Sequence, residues 1–384
     1  MARLGTESAF EVLARARALE AEGREVIHLQ IGEPDFDTPE HIRRAAKEAL
    51  DRGQTHYVPA PGIPALREAV AAFLERTGRL RTTPDRVIIT PGAKPVMFFT
   101  ILALCEEGDE VIHPDPGFPM YESIAAFAGA RPVPLPLRED RGFRFDPDEL
   151  RSLVTDRTKL LILSFPHNPC GSALAPEDAE AVAEVAMRHD LVVLSDEVYW
   201  AIAYDRPHAS ILQVDGMAER TVLLDGWSKT FAMTGWRLGF GVFPTSLVEP
   251  VTRLVINAVS CTAAFSQHAA IAALTGPWEP VERMVAEFRR RRDVIVDGLN
   301  RIPGVSCRPP EGAFYVFPSV RELGVPSKRV EEHLLERAGV ACLSGTAFGT
   351  QGEGYLRLSY ANSVENIERA LKAIEAALPE LTRA

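Results

Sequence analysis

Lysine is the scarcest charged residue in this chain. Six lysines stand against 36 arginines, so a lysine here was not the default choice of base. Cysteine is sparse as well. Cys105, Cys170, Cys261, Cys307 and Cys342 are odd in number and scattered. No pair has metal-ligand or redox spacing, which leaves reduced, mostly buried thiols and the expectation of a cytoplasmic protein. Positive charge is not in surplus: 42 basic against 53 acidic residues give a net −11. That argues against a general nucleic-acid binder or a protein of anionic membranes. Long apolar runs are missing too. The most apolar stretch, 256–274, is interrupted by Asn257, Ser260, Thr262, Ser266, Gln267 and His268, and it reads as one buried helix rather than a membrane span. Residues 1–10 carry Arg3 without an apolar segment after it, so no signal peptide is expected. No repeat, low-complexity tract or long linker is visible.

What is there is globular. The 384 residues are 46% hydrophobic and 25% charged, enough for one large or two ordinary domains. Strands are expected at 86–90, 110–113, 132–137, 159–164, 191–195, 221–224 and 237–242. Several are continuous hydrophobic runs, such as Leu160-Leu161-Ile162-Leu163 and Leu191-Val192-Val193-Leu194, the pattern of strands covered on both faces. Helical stretches at 65–76, 94–105 and 176–189 lie between them, which implies an α/β domain around a mainly parallel seven-stranded sheet. After about residue 280 the pattern changes. A charged helix at 280–301, a helix at 327–338, a strand near Val340, another at 355–360 and a final helix at 364–377 make a smaller α+β domain. An N-terminal helix at 8–22 is expected to pack with it or on a partner subunit. The division expected is 40–285 for the large domain, and 1–39 with 286–384 for the small one.

Ligands of open parallel sheets sit beyond the carboxyl ends of the strands. Gly92-Ala93-Lys94, Asp115-Pro116-Gly117-Phe118, Asn168-Pro169, Asp196 and Lys229 all fall just after expected strands. Five loops therefore converge on one edge. Lys229 lies in the string Asp225-Gly226-Trp227-Ser228-Lys229-Thr230-Phe231-Ala232-Met233-Thr234-Gly235-Trp236-Arg237-Leu238-Gly239. An amine can lose its proton and attack a carbonyl carbon, which a guanidinium cannot. Ser228 beside it and Arg237 eight residues on are groups that hold a phosphate. A reactive amine next to a phosphate site points to an aldehyde cofactor carrying a phosphate, pyridoxal 5'-phosphate. The other loops carry two readings each. Gly92-Ala93-Lys94 either presents helix N-terminal amides to phosphate or is a plain connection. Asp196 either keeps a pyridine nitrogen protonated or caps a helix. Asn168 either donates to a phenolic oxygen, as Tyr199 also can, or simply shapes a turn. Phe118 either stacks on a planar ring or joins the core. Arg357 either clamps a carboxylate or makes a surface ion pair.

Taken together, six strings in register resemble the class I/II aminotransferases, the aspartate-aminotransferase-like group of fold-type I. They are Ile31-Gly32-Glu33-Pro34-Asp35-Phe36-Asp37-Thr38-Pro39, Tyr57 to Arg67, Asn168-Pro169-Cys170-Gly171, Asp196-Glu197-Val198-Tyr199, Ser228-Lys229 through Gly239, and Leu356-Arg357-Leu358-Ser359. The resemblance implies a fold-type I transferase acting by a ping-pong mechanism. An L-amino acid would give its amino group to a 2-oxo acid, with 2-oxoglutarate the expected acceptor and aspartate a candidate donor. Lys229 would bond the cofactor's aldehyde carbon and later shuttle a proton between Cα and the cofactor's C4′. Asp196 would meet the ring nitrogen, Asn168 and Tyr199 the ring hydroxyl, and Phe118 the ring face. Ala93 and Lys94 amides, Ser228 and Arg237 would hold the phosphate, joined by Tyr57 from a neighbouring subunit of a homodimer. Arg357 would take the substrate α-carboxylate, beside Asn168, and Gly32 would pack over the substrate.

The sequence departs from the family at Gly226, where some relatives place a phosphate-binding serine, and at Cys170, where threonine is more usual. No Arg or Lys lies between Arg253 and Arg283, where the aspartate enzymes carry an arginine for the distal carboxylate. Lys94 is the candidate substitute. A carbon–sulfur β-lyase on the same scaffold is the alternative. A ligand-binding regulator is remote: the motifs begin at Gly32, and the net charge opposes an added DNA-binding module.

Overall fold

The structure, a computed structural model, describes residues 4–381. Its centre is a seven-stranded sheet in the order Val87–Thr90, Gly239–Val242, Thr221–Gly226, Val192–Asp196, Thr158–Ser164, Glu110–Asp115, Arg131–Pro136. Gly239–Val242 runs antiparallel to both its neighbours, and the remaining neighbouring pairs are parallel. The continuous hydrophobic runs explain the architecture. Ile88, Leu160, Ile162, Leu194 and Val222 point to one face, under helices Lys94–Leu104 and Thr245–Val259. Their chain neighbours Val87, Ile89, Leu161, Val193 and Leu223 point to the other, under Pro64–Arg76, Pro176–Arg188 and Ala264–Thr275. Both faces are covered because strand side chains alternate and every one of these is apolar.

A second cluster gathers the C-terminal elements. Leu343–Ser344, Leu356–Ser359 and Tyr315–Val316 form an antiparallel sheet, and Ile27–His28 pairs in parallel with Val340–Ala341. Helices Glu279–Leu299, Ser327–Ala338 and Val364–Leu381 bury Phe288, Leu334 and Ile374 against it. The N-terminal helix Ser8–Ala21 lies on these strands, tied by Arg15 to Glu336 at 3.0 Å.

The stretch expected as one helix is two. Thr245–Val259 ends at Ser260, whose φ is +59°, and Ala264–Thr275 begins anew. Of the polar residues in the apolar run, Ser260 and Thr262 fall in the break, while Asn257 lies in the first helix and Ser266, Gln267 and His268 in the second. Gln267 accepts from the amide of Ile63 at 2.9 Å and donates to the carbonyl of Thr262 at 2.8 Å. The amide group thus fills backbone partners that a straight helix would leave empty. The last of the seven strands starts at Gly239 rather than 237, because Arg237 adopts a left-handed conformation (φ +51°). Helices Glu40–Asp51, Met120–Ala128 and Pro147–Leu153 were not anticipated.

Candidate active site

Where the parallel strands end, their loops meet the C-terminal elements around a cavity of about 520 Å³. Lys229, Ala93, Lys94, Phe118, Asn168, Asp196, Tyr199, Ser228, Arg237, Gly32 and Arg357 all line it. Two larger depressions, of about 950 and 730 Å³, do not reach Lys229. The first borders the mouth of the site at Arg237 and Glu33. Tyr57 lies apart from the cavity and is 90% exposed. Each of the five converging loops brings its candidate residue to the cavity; in the second, Phe118 lines it while Asp115 turns away to accept from the Thr350 hydroxyl at 2.8 Å.

Strand Thr221–Gly226 runs straight into the short helix Trp227–Thr230, and the fully buried Trp227 packs edge-on to Phe240 at 5.2 Å. That anchor aims the next turn, with Ser228 and Lys229, into the cavity. The Lys229 Nζ donates to the Gly32 carbonyl. Burial pushes the amine down from its usual 10.5 to about 8; Glu33 opposes the shift, while Arg357 and Arg237 reinforce it. A large fraction of such amines is neutral near pH 8, so this one can act as nucleophile or base.

Asp196 ends the central strand Val192–Asp196 and is 9% exposed. Tyr121 donates to its Oδ2 at 2.7 Å, and the Val198 amide to its Oδ1 at 3.3 Å. No α-helix follows it, so the capping reading does not hold. Among the described residues no cation pairs with it. Burial, aided by the charges of Asp225 and Glu197, lifts its carboxyl from 3.8 to about 6 against the pull of these hydrogen bonds.

Arg357 presents the opposite imbalance. It is 4% exposed, donates to Asn168 Oδ1 at 3.1 Å and to the Gln30 carbonyl, and lies 4.4 Å over the Tyr315 ring. Its Nε has no hydrogen-bond partner, and among the described residues no carboxylate pairs with it. The surface ion-pair reading is thereby excluded. Arg357 also orients the Asn168 amide, leaving Nδ2 as the free donor.

The third charged feature is the start of helix Lys94–Leu104. A Cβ on Gly92 (φ +89°) would stand 2.2 Å from the Arg237 guanidinium, and one on Gly239 would stand 2.4 Å from the Ala93 amide nitrogen. Two glycines therefore let Arg237 and the helix N-terminus converge beside Ser228, as a doubly charged oxyanion group requires. Lys94 itself is bonded to Glu7 from the N-terminal segment and sits 5.5 Å over the Phe118 ring. Phe118 is half-buried and meets Tyr121 edge-on at 5.7 Å.

Three residues here escaped the sequence reading. Tyr121 holds Asp196. Tyr315 lies under Arg357 and accepts or donates a hydrogen bond with Tyr199 at 2.7 Å. A Cβ on Gly32 would strike the Tyr315 hydroxyl at 2.1 Å, so Gly32 is needed for that contact as well as for its carbonyl. Glu7 supplies a carboxylate. Tyr121 follows Phe118 by three residues, a spacing that signals a shared side; Glu7 left no signal.

The family pattern described as aminotransferase class I and II matches residues 24–374. The chain is 44% identical over 361 residues to an aspartate aminotransferase of Pyrococcus abyssi, covering 93% of this chain and 92% of that one. It is 43% identical over 359 residues to aromatic-amino-acid aminotransferase 2 of Thermococcus litoralis, covering 92% of each. The solved structure of the Thermus thermophilus aspartate aminotransferase with maleate superimposes with a TM-score of 0.94 at 37% identity, covering 97% of both chains.

Proposed function

The chain belongs to the class I and II aminotransferases, and we propose on that premise that its cavity binds pyridoxal 5'-phosphate and moves an amino group from an L-amino acid to a 2-oxo acid in two half-reactions. The observation that carries this reading is a pair of buried, uncompensated charges of opposite sign on either side of a softened lysine. Among the described residues, Asp196 has no cation and Arg357 no anion to pair with. A pyridine nitrogen that must stay protonated fits the first, and an amino acid's α-carboxylate fits the second. Buried charges stand without partners at such cost that a ligand is the economical explanation.

The phosphate would sit against Arg237, Ser228 and the amides of Ala93 and Lys94. Phe118 would cover the ring, and Asn168 Nδ2 with the Tyr199 hydroxyl would meet the ring oxygen. Bound there, pyridoxal phosphate supplies an electron-withdrawing ring that stabilises negative charge developing at the substrate's Cα. Arg357 grips the α-carboxylate, and that grip turns the Cα–H toward Lys229. Lys229 Nζ takes the Cα proton, a step its lowered basicity suits. Because only the neutral amine attacks an aldehyde, cofactor uptake by the apoprotein is expected to speed up with rising pH and level off above about 8. An ordinary lysine would keep accelerating toward 10.5, and stopped-flow uptake rates from pH 6 to 10 distinguish the two.

The relatives named above act on acidic and on aromatic donors in nearly equal proportion to their identity, so side-chain preference rests on this chain's own residues. We place the distal carboxylate of an acidic donor on Lys94, at the cavity mouth, where Glu7 now occupies the amine. Mixing the loaded enzyme with single amino acids and following loss of the cofactor's visible band tests this. Aspartate and glutamate should react fastest. In Lys94→Ala their rates should fall about 10- to 100-fold while alanine stays within about twofold, the discrimination expected of one charge-assisted contact. A preference for aromatic donors sinks the assignment. None of the named relatives is a lyase, and that alternative gains nothing.

A homodimer with shared sites is the proposed assembly. Tyr57, exposed and remote from its own cavity, would reach a partner's phosphate in that assembly. The domain division 40–285 against 1–39 with 286–384 is kept as a proposal; the seven strands of the large sheet fall inside the first part. A cytoplasmic location, which five free cysteines favour, is proposed in the same sense. No helix among the described residues is long and apolar enough to cross a membrane.

A further inference from the structure

Asp196 and Lys229 stand on separate loops, and one side chain from elsewhere in the fold grips the residues beside both. Arg79 follows helix Pro64–Arg76 and is 3% exposed. Its Nη1 donates to Asp225 Oδ2 at 2.7 Å. Its Nε and Nη2 donate to Glu197 Oε2 at 3.2 and 2.7 Å. Glu197 is the residue after Asp196, and Asp225 is four before Lys229. The two strands are neighbours, with Asp196 in register with Leu224. The guanidinium also lies 4.4 Å over the Trp200 ring, which fixes its plane. Neither carboxylate is free to follow other partners. Glu197 Oε1 accepts from Ser195 at 3.0 Å and from Ser210 at 2.5 Å, its Oε2 lies 3.0 Å from His208, and Asp225 Oδ1 accepts from the Gly226 amide at 2.6 Å.

We propose that Arg79 is a positioning residue that sets the separation between the Asp196 carboxylate and the Lys229 amine. It does so by bridging the neighbours of each in one planar fork. Nothing in the transamination chemistry requires a further basic residue at this depth, and a lone ion pair would not need two carboxylates from the ends of two neighbouring strands. The bridge has an electrical side. The groups facing Asp196 are Tyr121 from helix Met120–Ala128, Val198 and Glu197 from its own loop, and Asp225 from the adjoining strand. The last two carboxylates disfavour its ionised form, and Arg79 is the cation that offsets both.

This inference rests on the reading that Asp196 and Lys229 flank the cofactor, and its test separates the two. The dissociation constant of pyridoxal phosphate is measured on full-length apoprotein from pH 5 to 9, beside kcat and KM. In Arg79→Gln, kcat should fall at least about tenfold with KM within about twofold, and cofactor affinity about tenfold. The pH at which affinity breaks should move up by about one unit, since Glu197 and Asp225 lose their counter-charge. In Asp225→Asn kcat should also fall, but the break should move down, because a charge that opposes ionisation of Asp196 is gone. Opposite movements are foreign to a purely structural role. Wild-type kcat and break point in either variant, shifts of the same sign, or a loss confined to melting temperature would overturn the proposal. If Arg79→Gln does not fold, the near-isosteric Asp225→Asn decides alone by the same two readouts. Asp196→Asn is the control: native turnover there sinks the cofactor reading itself, whatever Arg79 does.

Discussion

Lys229→Ala is expected to lower transamination by about 10⁴-fold or more while the protein still folds and still takes up pyridoxal phosphate through its other contacts. The magnitude follows from the two duties proposed for the amine, since the bond to the aldehyde carbon and the proton transfer at Cα would depend on the same nitrogen. Lys94 is the second lysine lining the cavity, but it is bonded to Glu7 and half in solvent, and it points from the helix start rather than from beneath the substrate. It cannot take over. Lys229→Arg sharpens the test. It keeps the positive charge that would attract the phosphate and the carboxylate, yet a guanidinium does not deprotonate in a protein. If charge alone mattered, Arg would rescue; if a neutral amine matters, Arg is as inactive as Ala. Single-turnover rates with aspartate read the difference, and borohydride reduction followed by peptide mass mapping should fix the cofactor's mass to the Lys229 peptide of the wild type only. Turnover above about 1% in the Arg variant would remove Lys229 from the proton transfer.

How far these residues were legible follows from the physics behind each. The seven strands were visible because burial on both faces demands unbroken apolar runs such as Leu160-Leu161-Ile162-Leu163, and few other structures do. Their order was not, because register and crossing depend on partners far away in the chain. Asp196, Asn168 and Lys229 were visible because one ends such a run and the other two follow one within a few residues. Tyr315 carried no such signal, since a strand's alternation does not say which side meets a cavity. Arg79 carried no pattern at all: one arginine among 36 is marked only by its two carboxylate partners, 118 and 146 residues away. The break at Ser260 shows the converse. Among the polar residues that argue against a membrane span, Ser260 and Thr262 also mark where the helix divides.

Asp196→Asn should change two properties in opposite directions, and the crossing is the sharpest test of what the site is for. In the apoprotein, burial holds the carboxyl at about 6, above its usual 3.8. A raised carboxylate pKa means the folded state holds the proton more tightly than the unfolded one. The stability at stake is therefore present in full below about pH 4 and is lost as pH rises through 6. At pH 7 the ion is a burden, and a shift of roughly two units corresponds to about 3 kcal/mol at most. Asparagine cannot ionise; its carbonyl oxygen still accepts from the Val198 amide, and its NH2 can donate to the Tyr121 hydroxyl once that hydroxyl turns to accept, so the apo variant should gain about 1–3 kcal/mol at pH 7. Below pH 4 the two proteins should melt together. With cofactor the order reverses. The wild type gains from pairing its carboxylate with a protonated ring nitrogen, and the variant does not. Turnover should fall by about 10³-fold, since the electron sink depends on that proton. Calorimetric melting of apo and loaded protein at pH 4 and 7, set beside kcat, reads all of this. A variant less stable as apoprotein yet near wild type in turnover would make Asp196 no more than an acceptor for Tyr121. A stabilised apoprotein with lost activity would show a buried charge kept at the expense of the fold because the chemistry needs it.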